Sequence, residues 1–508
     1  MKNADSVHAL HDDHVTALER ARLLWYAAAY SDCLRVLDEE AEPSADRFLL
    51  AAWACYGLRR YDDALAQLAS GHALFAGEQE VESDALSAVL HQIKGNARES
   101  DVFYERAAKA MPKYPSGRGG NMLALRAWMR DDFNEALRRL RAGEASEDPS
   151  VRAQALSLRS WTHASRRDFA AQAAILGTVL QVASAGEPRD IGRIADTILT
   201  LSGRCRELYL PEQFEAVCSA MQSIQWTPDL HEQEYHTRRN VALTWAMQGQ
   251  YVVGLRELQR VAALARTPSR RALSSLDSAW VALASGERNT AQALLQDALE
   301  LIEGIDWQHQ IGSESNTLLL AAEVASSFDP ALARRLLDTY EALKPSVPIQ
   351  IGVRHDRSFD PVEAYTRARV LSISDVGPAR KLAKQAYREF AGMRYDWRAA
   401  RCALFLYESG CGDTWLAAAK QCAQHYPRSF IGAQLQRIDL ESNCEPLAKL
   451  TPRQRDVVRL LAEGDTVDAV AAALKTSPGT VRVHLKHIHR TLGVRNRVEL
   501  LRLVRRSA

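Results

Sequence analysis

Apolar residues recur along most of this chain every three to four positions, which is the period of an amphipathic α-helix. Alanine and leucine dominate these stretches, and both residues cost little free energy in a helix interior. Glycine and proline are sparse, with 26 and 17 residues among 508. The pattern therefore predicts an all-α protein.

A short phrase recurs between the apolar stretches. It consists of one or two turn residues, an aromatic or long residue, two polar residues, and then alanine or another small residue. Its copies are GLRRYDDALAQL, MRDDFNEALRRL, SRRDFAAQAAIL, MQGQYVVGLREL, ASGERNTAQALL, SSFDPALARRLL and SDVGPARKLAKQA. We expect the small residue to let two helices approach closely, with the aromatic residue packed over that contact.

The small residues of these copies indicate a repeat length. They are Ala64, Ala136, Ala173, Gly254, Ala291, Ala331 and Ala379. If the intervals of 72 and 81 residues each hold two repeats, the others are 37, 37, 40 and 48 residues long. Such a unit accommodates a helix, a tight turn and a second helix, and one pair cannot bury its apolar face alone. We therefore predict a solenoid of stacked helix pairs over residues 15–435, after an N-terminal segment of residues 1–14.

The phrase resembles the "G-x-Y-x-x-A" start of the second helix in tetratricopeptide repeats, most closely at Tyr61 and Phe133. The resemblance implies a superhelix with a concave groove for a peptide, a partner protein or a small effector. An irregular all-α domain without repeat ancestry is the alternative. Paired arginines at 270–271 and 334–335 are candidates to line the groove, although most such arginines lie on solvated helix faces.

The last sixty residues follow a different pattern. Thr451, Thr466 and Ser477 are suited to cap three successive helices, and Pro452 and Pro478 stand at first helical positions. Helix ends are predicted at Gly464 and Gly493, and a fourth helix is predicted to start at the pair Asn496 and Glu499. We predict a separate domain over residues 446–508, joined to the solenoid by a linker over residues 436–445.

The third of these helices divides into two faces. The apolar residues Val481, Leu485, Ile488 and Leu492 recur at helical spacing, whereas Arg482, Lys486 and Arg490 form a basic row. A short helix, a three-residue turn and a longer basic helix make the helix-turn-helix arrangement, whose later helix enters the major groove of DNA. The candidates for base contacts are Arg482, Val483 and Lys486. The candidates for phosphate contacts are Thr466, Ser477, Thr480, His487 and Arg490.

The charge distribution agrees with this interpretation. Residues 446–508 contain 13 Lys and Arg against five Asp and Glu, a net charge of +8. The whole chain carries +1, so the other 445 residues carry −7. A basic end on an acidic body favours a polyanionic partner at that end.

The segment LTPRQRDVVRLLAEGDTVDAVAAALKTSPGTVRVHLKHIHRTLGVRNRVELL resembles the LuxR/GerE-type DNA-binding domain. The matching residues are Leu450, Thr451, Arg453, Arg455, Gly464, Ala471, Leu474, Ser477, Thr480, Val481, His484, Ile488, Leu492, Gly493, Val494 and Arg497. The resemblance implies a four-helix domain that pairs as a dimer through its last helix, with Leu500, Leu501 and Val504 as the candidate seam. Three residues depart from the family pattern: Gln454, Ala469 and Thr476. Ala469 removes the partner of Thr466 in a capping box.

Motifs of several enzyme classes are missing from the sequence. It has no GxxxxGK[ST] phosphate loop, no HExxH and no GxSxG. The HDDH of residues 11–14 is interpreted as a polar helix start rather than a metal site, and the two histidines of the HIH at 487–489 point to different sides of a helix. We therefore predict a protein that is not an enzyme and has no cofactor and no metal.

Eight scattered cysteines without CxxC spacing, and no signal-peptide or membrane-length apolar run, predict a cytoplasmic protein with reduced thiols. A redox pair among Cys402, Cys411 and Cys422 is the alternative.

These observations lead to one hypothesis: a DNA-binding transcriptional regulator that binds double-stranded DNA as a homodimer. RNA polymerase is a predicted partner, and an effector or partner protein would control it through the helical repeats. The rival hypothesis is a repeat scaffold whose basic C-terminal domain binds a protein instead of DNA.

Overall fold

The computed structural model describes residues 15–39, 42–166, 168–185, 189–307, 316–343, 359–372, 374–444, 449–462, 466–494, 496, 499–501 and 503. Within these ranges the secondary structure is helical and contains no strand, as the apolar period predicts. The chain divides into two compact units, residues 1–426 and 427–508.

The described part of the first unit consists of eleven successive helix pairs, which form a tetratricopeptide-like solenoid. The pairs are α1 (Ala17–Tyr26) with α2 (Tyr30–Glu39), α3 (Ala45–Gly57) with α4 (Tyr61–Gly71), α5 (Glu78–Ile93) with α6 (Ala97–Ala110), α7 (Gly117–Met129) with α8 (Phe133–Glu144), α9 (Pro149–Ser165) with α10 (Phe169–Ser184), α11 (Ile191–Glu207) with α12 (Pro211–Ser223), α13 (His231–Met247) with α14 (Tyr251–Leu264), α15 (Pro268–Ser285) with α16 (Arg288–Glu303), α17 (Asn316–Ala325) with α18 (Pro330–Leu343), α19 (Phe359–Leu371) with α20 (Val376–Gly392), and α21 (Asp396–Glu408) with α22 (Asp413–Ala423).

A left-handed residue joins the two helices of many pairs. Arg59, Gly95, Asp131 and Gly249 have φ angles of 61°, 79°, 63° and 84°, and in each case the second helix begins two residues later. A left-handed residue after a helix lets the following N–H groups bond the last carbonyl oxygens of that helix. The recurring phrase is therefore this turn followed by the first turn of the second helix.

The small residue of the phrase is the fourth residue of the second helix. Ala64, Ala136 and Ala291 are at most 1% exposed. At the equivalent Gly254 the two helices lie close together, since an added Cβ would lie 2.9 Å from the carbonyl oxygen of Ala242 in the first helix of the pair. Close helix packing at this position, predicted from the sequence, is confirmed.

The two long intervals each contain one additional pair, which confirms that they hold two repeats. The pair α5 and α6 lies between Ala64 and Ala136, and the pair α11 and α12 lies before Gly254. The second helices α4, α6, α8 and α10 begin 36 residues apart. The sequence missed these two copies because Ser100 and Phe214 stand where the copies that begin at Tyr61, Phe133 and Tyr251 have alanine or glycine.

Two small residues were predicted in the wrong register. Helix α18 begins at Pro330, so its fourth residue is the fully buried Ala333, whereas Ala331 is exposed. In α10 the fourth residue is the buried Gln172 rather than Ala173. Both phrases contain two or more alanines, so composition alone does not show which residue is the fourth of the second helix.

The solenoid winds so that pairs about five positions apart touch. Glu207 at the end of α11 accepts two hydrogen bonds from Arg398 of α21, at 2.5 and 2.9 Å, across 191 residues of sequence. In the first half, the hydroxyl of Thr227 donates to the carbonyl oxygen of Ala28 at 2.8 Å, across 199 residues. The first helices α11, α13, α15, α17, α19 and α21 consequently surround a common interior.

A helix replaces the linker predicted over residues 436–445. Helix α23 (Phe430–Cys444) belongs to the second unit, which begins at residue 427. Ile431, Leu435 and Ile438 are buried at helical spacing, and the segment contains neither proline nor a glycine after residue 432 to end the helix early. Apolar periodicity thus continues where a change in composition suggested a linker.

Among the described residues, no helix has both the length and the apolar character needed to cross a lipid bilayer. The HDDH segment at residues 11–14 lies outside the described residues.

We predict that Gly254→Ala lowers the midpoint of thermal unfolding, because the new Cβ would meet a backbone oxygen that cannot move without displacing α13. The expected cost is about 1–3 kcal/mol. Gly177→Ala is the control, since Gly177 also lies inside a second helix but has no atom within 4 Å of an added Cβ. That substitution should stabilise by about 0.5–1 kcal/mol. Equal shifts of the unfolding midpoint for the two variants in differential scanning calorimetry would contradict the close approach of α14 to α13 at Gly254.

Candidate nucleic-acid interface

Three described helices build the C-terminal domain: α24 (Pro452–Ala462), α25 (Val467–Ala473) and α26 (Pro478–Leu492). Their core consists of side chains that are at most 2% exposed: Leu450, Val457, Val458, Leu461, Val470, Ala471, Val481, Ile488 and Leu500. Leu485 and Leu492 are partly buried against this core. The predicted apolar face of the third helix is therefore confirmed.

The predicted caps are present at all three helix starts. The amide oxygen of Gln454 accepts a hydrogen bond from the Thr451 N–H at 2.9 Å, and the Thr451 hydroxyl accepts from the Gln454 N–H at 3.3 Å. Glutamine thus closes the capping box without the usual glutamate charge. Thr466 accepts from the N–H of Ala469 at 3.2 Å, and the methyl side chain of Ala469 cannot return the bond.

The turn between α25 and α26 is strained at one residue. Lys475 has a φ of 50°, and the following N–H of Thr476 bonds the carbonyl oxygen of Ala471 at 2.9 Å. This is the hydrogen-bond pattern of a helix end that usually has glycine in the left-handed position. The guanidinium of Arg453 donates to the carbonyl oxygen of Leu474 and so connects α24 to the end of α25. Sequence reasoning missed both roles, although Lys475 stands where a glycine would be the normal signal.

The face of α26 opposite the core carries the candidate base-contacting residues. Arg482 and Lys486 are exposed, and the apolar side chain of Val483 is 56% exposed. Within the part of the chain that the structure describes, neither Arg482 nor Lys486 forms an ion pair or a hydrogen bond. Arg490 continues the row, which spans about 12 Å at a rise of 1.5 Å per residue. Along one face of α26, this surface thus presents cations without ion-pair partners among the described residues, together with one exposed apolar group.

Hydroxyl groups lie at the starts of the last two helices. Ser477 accepts from the N–H of Thr480 at 3.1 Å, and the two hydroxyls share a hydrogen bond of 2.9 Å. That arrangement leaves one hydroxyl proton of the pair, together with that of Thr466, to donate to an oxygen from outside. His487 and Arg490 are exposed further along α26. The five candidate phosphate-contacting residues are thus accessible, and their role stays a prediction.

The predicted dimer seam needs a correction. Leu500 is fully buried in the core of its own domain, so it does not present a surface to a second copy. The sequence shows that Leu500 is apolar and needs to be covered, but it does not show whether its own domain or a second copy covers it. Leu501 is partly exposed and stays a candidate, while Val504 lies outside the described residues.

No group of three His, Cys, Asp or Glu residues suited to a metal occurs among the described residues. His487 is exposed and His489 partly buried, in agreement with their predicted different sides. The described cysteines are free thiols. Burial raises the pKa of the Cys402 thiol well above its usual range, which disfavours the reactive thiolate.

Comparisons with known proteins agree with this geometry. Residues 448–504 match the family described as "Bacterial regulatory proteins, luxR family". An HTH-type transcriptional regulator of Mycobacterium bovis is 29% identical over 242 residues, which are 46% of this chain and 26% of that protein. The transcriptional regulatory protein UhpA of Escherichia coli is 49% identical over 53 residues, 10% of this chain and 27% of that protein. The chain thus spans about a quarter of the length of these relatives.

The similarity to the Mycobacterium bovis protein is longer than the second unit of the chain, so it includes part of the helical repeats. Among solved structures, the apo form of RapI is 10% identical with a TM-score of 0.40, over 77% of this chain and 97% of that chain.

We predict that Lys475→Gly stabilises the C-terminal domain by about 1 kcal/mol, because glycine adopts a positive φ without the steric cost of a side chain. Lys475→Ala is the control, since it removes the same charge and keeps the strained Cβ. Amide hydrogen exchange at Val481 and Ile488 in the full chain measures the change. Equal protection in the two variants would mean that charge, not backbone strain, is responsible.

Proposed function

We propose that this chain, whose C-terminal domain belongs to the LuxR family of bacterial regulatory proteins, is a DNA-binding transcriptional regulator. Helix α26 would enter the major groove, with Arg482, Val483 and Lys486 at base edges. Thr466, Ser477, Thr480, His487 and Arg490 would hold the flanking phosphates.

The observation that supports the proposal best is the exposed row on α26. Its side chains form no ion pair within the described residues, and the opposite face of the same helix is anchored by the buried Val481 and Ile488. Unpaired cations on a solvated helix lose no internal partner when they meet a polyanion. The net charge of +8 on residues 446–508 adds a sequence-independent attraction to DNA.

A single domain of this size buries little surface on DNA, and specific binding therefore needs two half-sites. We propose a homodimer on DNA, to which the partly exposed Leu501 contributes. RNA polymerase is the proposed partner at the promoter, and the proposed place of action is the cytoplasm.

The solenoid would control this domain without catalysis. An effector or partner protein bound to the helical repeats shifts the equilibrium only if it binds the DNA-competent arrangement more tightly than the other. The proposal therefore includes two sites, one for DNA and one in the repeats, coupled by a difference in affinity.

The decisive experiment is selection of bound sequences from random DNA by the full chain, followed by anisotropy titrations at several salt concentrations. A recovered motif with two half-sites and strong salt dependence is expected. A folded chain that binds an acidic protein but shows no salt-dependent DNA binding would favour the scaffold hypothesis and exclude the regulator.

We predict that Lys486→Ala weakens binding to the selected motif by about 1–3 kcal/mol and relaxes its sequence preference at one base pair. The matched control is Lys381→Ala, which removes an exposed lysine from α20 in the solenoid. Selection repeated with each variant measures the preference. An unchanged motif for Lys486→Ala would remove Lys486 from the base-contacting set.

For Arg490→Ala we expect weaker binding to all sequences alike, because its place further along the helix suits a phosphate contact. The slope of log K against log salt concentration should decrease by about one unit. Loss of binding to the selected motif alone, with unchanged affinity for random DNA, would assign Arg490 to a base instead.

A further inference from the structure

A cavity of about 390 Å³ lies inside the second half of the solenoid. The described residues of its wall all come from six first helices, α11, α13, α15, α17, α19 and α21. Cavities of roughly 300–1,000 Å³ are typical sites for small molecules. The ends of this wall are α11 and α21, which the contact between Glu207 and Arg398 holds together.

The wall carries more cations than anions. The arginines that line it are Arg206, Arg239, Arg270, Arg398 and Arg401. The carboxylates paired with them are Glu207, Asp277, Glu232 and Glu323. Five guanidinium groups thus face four carboxylates, because Arg206 and Arg398 share Glu207.

The shared carboxylate is ionised at neutral pH. Burial would raise the pKa of Glu207, but Arg398 and Arg206 outweigh burial and hold it at about 2. Burial, Arg239 and Arg270 lower the pKa of the neighbouring His236 to about 4, so this imidazole is neutral. Among the described residues, the five lining arginines and the four carboxylates paired with them therefore carry a net charge of +1.

Apolar and aromatic side chains complete the wall. Trp280 and Trp397 meet edge to face with ring centroids 5.4 Å apart. Leu199, Leu273 and Leu320 line the cavity and are only partly buried. Such surfaces favour a ligand with an apolar body.

We propose that this cavity binds a small organic acid with a single negative charge, its carboxylate facing the Arg206 and Arg398 side and its apolar body against the two tryptophans. The ligand is the effector of the regulator, a role that rests on the proposed function; binding itself does not. Helices α11 and α21, the two ends of this superhelical turn, both contribute to the wall. A bound ligand therefore stabilises the closed turn, in which Glu207 contacts Arg398.

Binding can be measured on the full chain without DNA. The first probe is 8-anilinonaphthalene-1-sulfonate, a fluorescent aromatic monoanion, displaced in turn by indole-3-acetate and by its neutral amide, indole-3-acetamide. We expect displacement by the acid at a concentration at least about tenfold lower than by the amide, as for hydrogen bonds to a charged group. Failure of both anions to bind, or equal displacement by acid and amide, would overturn the proposal.

Three variants locate the site. Arg206→Gln removes the surplus charge while Glu207 keeps both bonds from Arg398, and we expect about tenfold weaker binding of the acid with unchanged binding of the amide. Leu273→Trp fills the cavity and should abolish displaceable binding. Its control is Val252→Trp on a second helix, where Val252 is 73% exposed and lies outside the cavity.

The two proposals fail separately. Salt-dependent DNA binding without selective binding of the acid would leave the regulator and overturn the cavity assignment. Selective binding of the acid by a chain that does not bind DNA would keep the cavity and overturn the regulator.

Discussion

Glu207 makes the charged contact that joins the two ends of the second half of the solenoid, α11 and α21. It accepts hydrogen bonds from Arg206 of its own helix and from Arg398, 191 residues later. Removal of one partner of a buried ion pair typically costs about 3–5 kcal/mol, because the remaining charge is left without compensation. The low pKa of Glu207 means that its contribution is present above the ordinary carboxyl pKa and is lost as the pH falls towards about 2. The contact is therefore intact at any physiological pH.

In the superhelical turn from α11 to α21, the first and second helices of each pair occupy different positions. The first helices surround the interior and carry its arginines and tryptophans, whereas second helices such as α14 expose residues like Val252 to solvent. In pairs such as α13 and α14, the small fourth residue of the second helix lets that helix lie close behind the first. At Gly254 an added Cβ would lie 2.9 Å from the carbonyl oxygen of Ala242.

Local features of this fold could be predicted from the sequence, and long-range ones could not. The turn before Tyr61, the caps at Thr451 and Ser477, and the apolar face of α26 are encoded within about ten residues each. No such signal relates Glu207 to Arg398, and therefore neither the closed turn nor its cavity was predicted. Arg270 was considered for a groove and lines the cavity, but its pairing with Glu232 follows only from the stacking of α13 on α15. Leu500 was misassigned for a similar reason. The sequence shows that this apolar residue needs to be buried, but it does not show whether the core of its own domain or a second copy buries it.

The contact across the turn also restricts how this solenoid can change length. An open array of repeats can gain or lose a unit at small cost, since each unit meets only its neighbours. Here, deletion or duplication of a single pair between α11 and α21 would carry Arg398 past Glu207 by one step of the superhelix and leave both charges facing unrelated side chains. The number of pairs in this half is thus set by geometry, and the segment can be inherited or exchanged only as a whole turn.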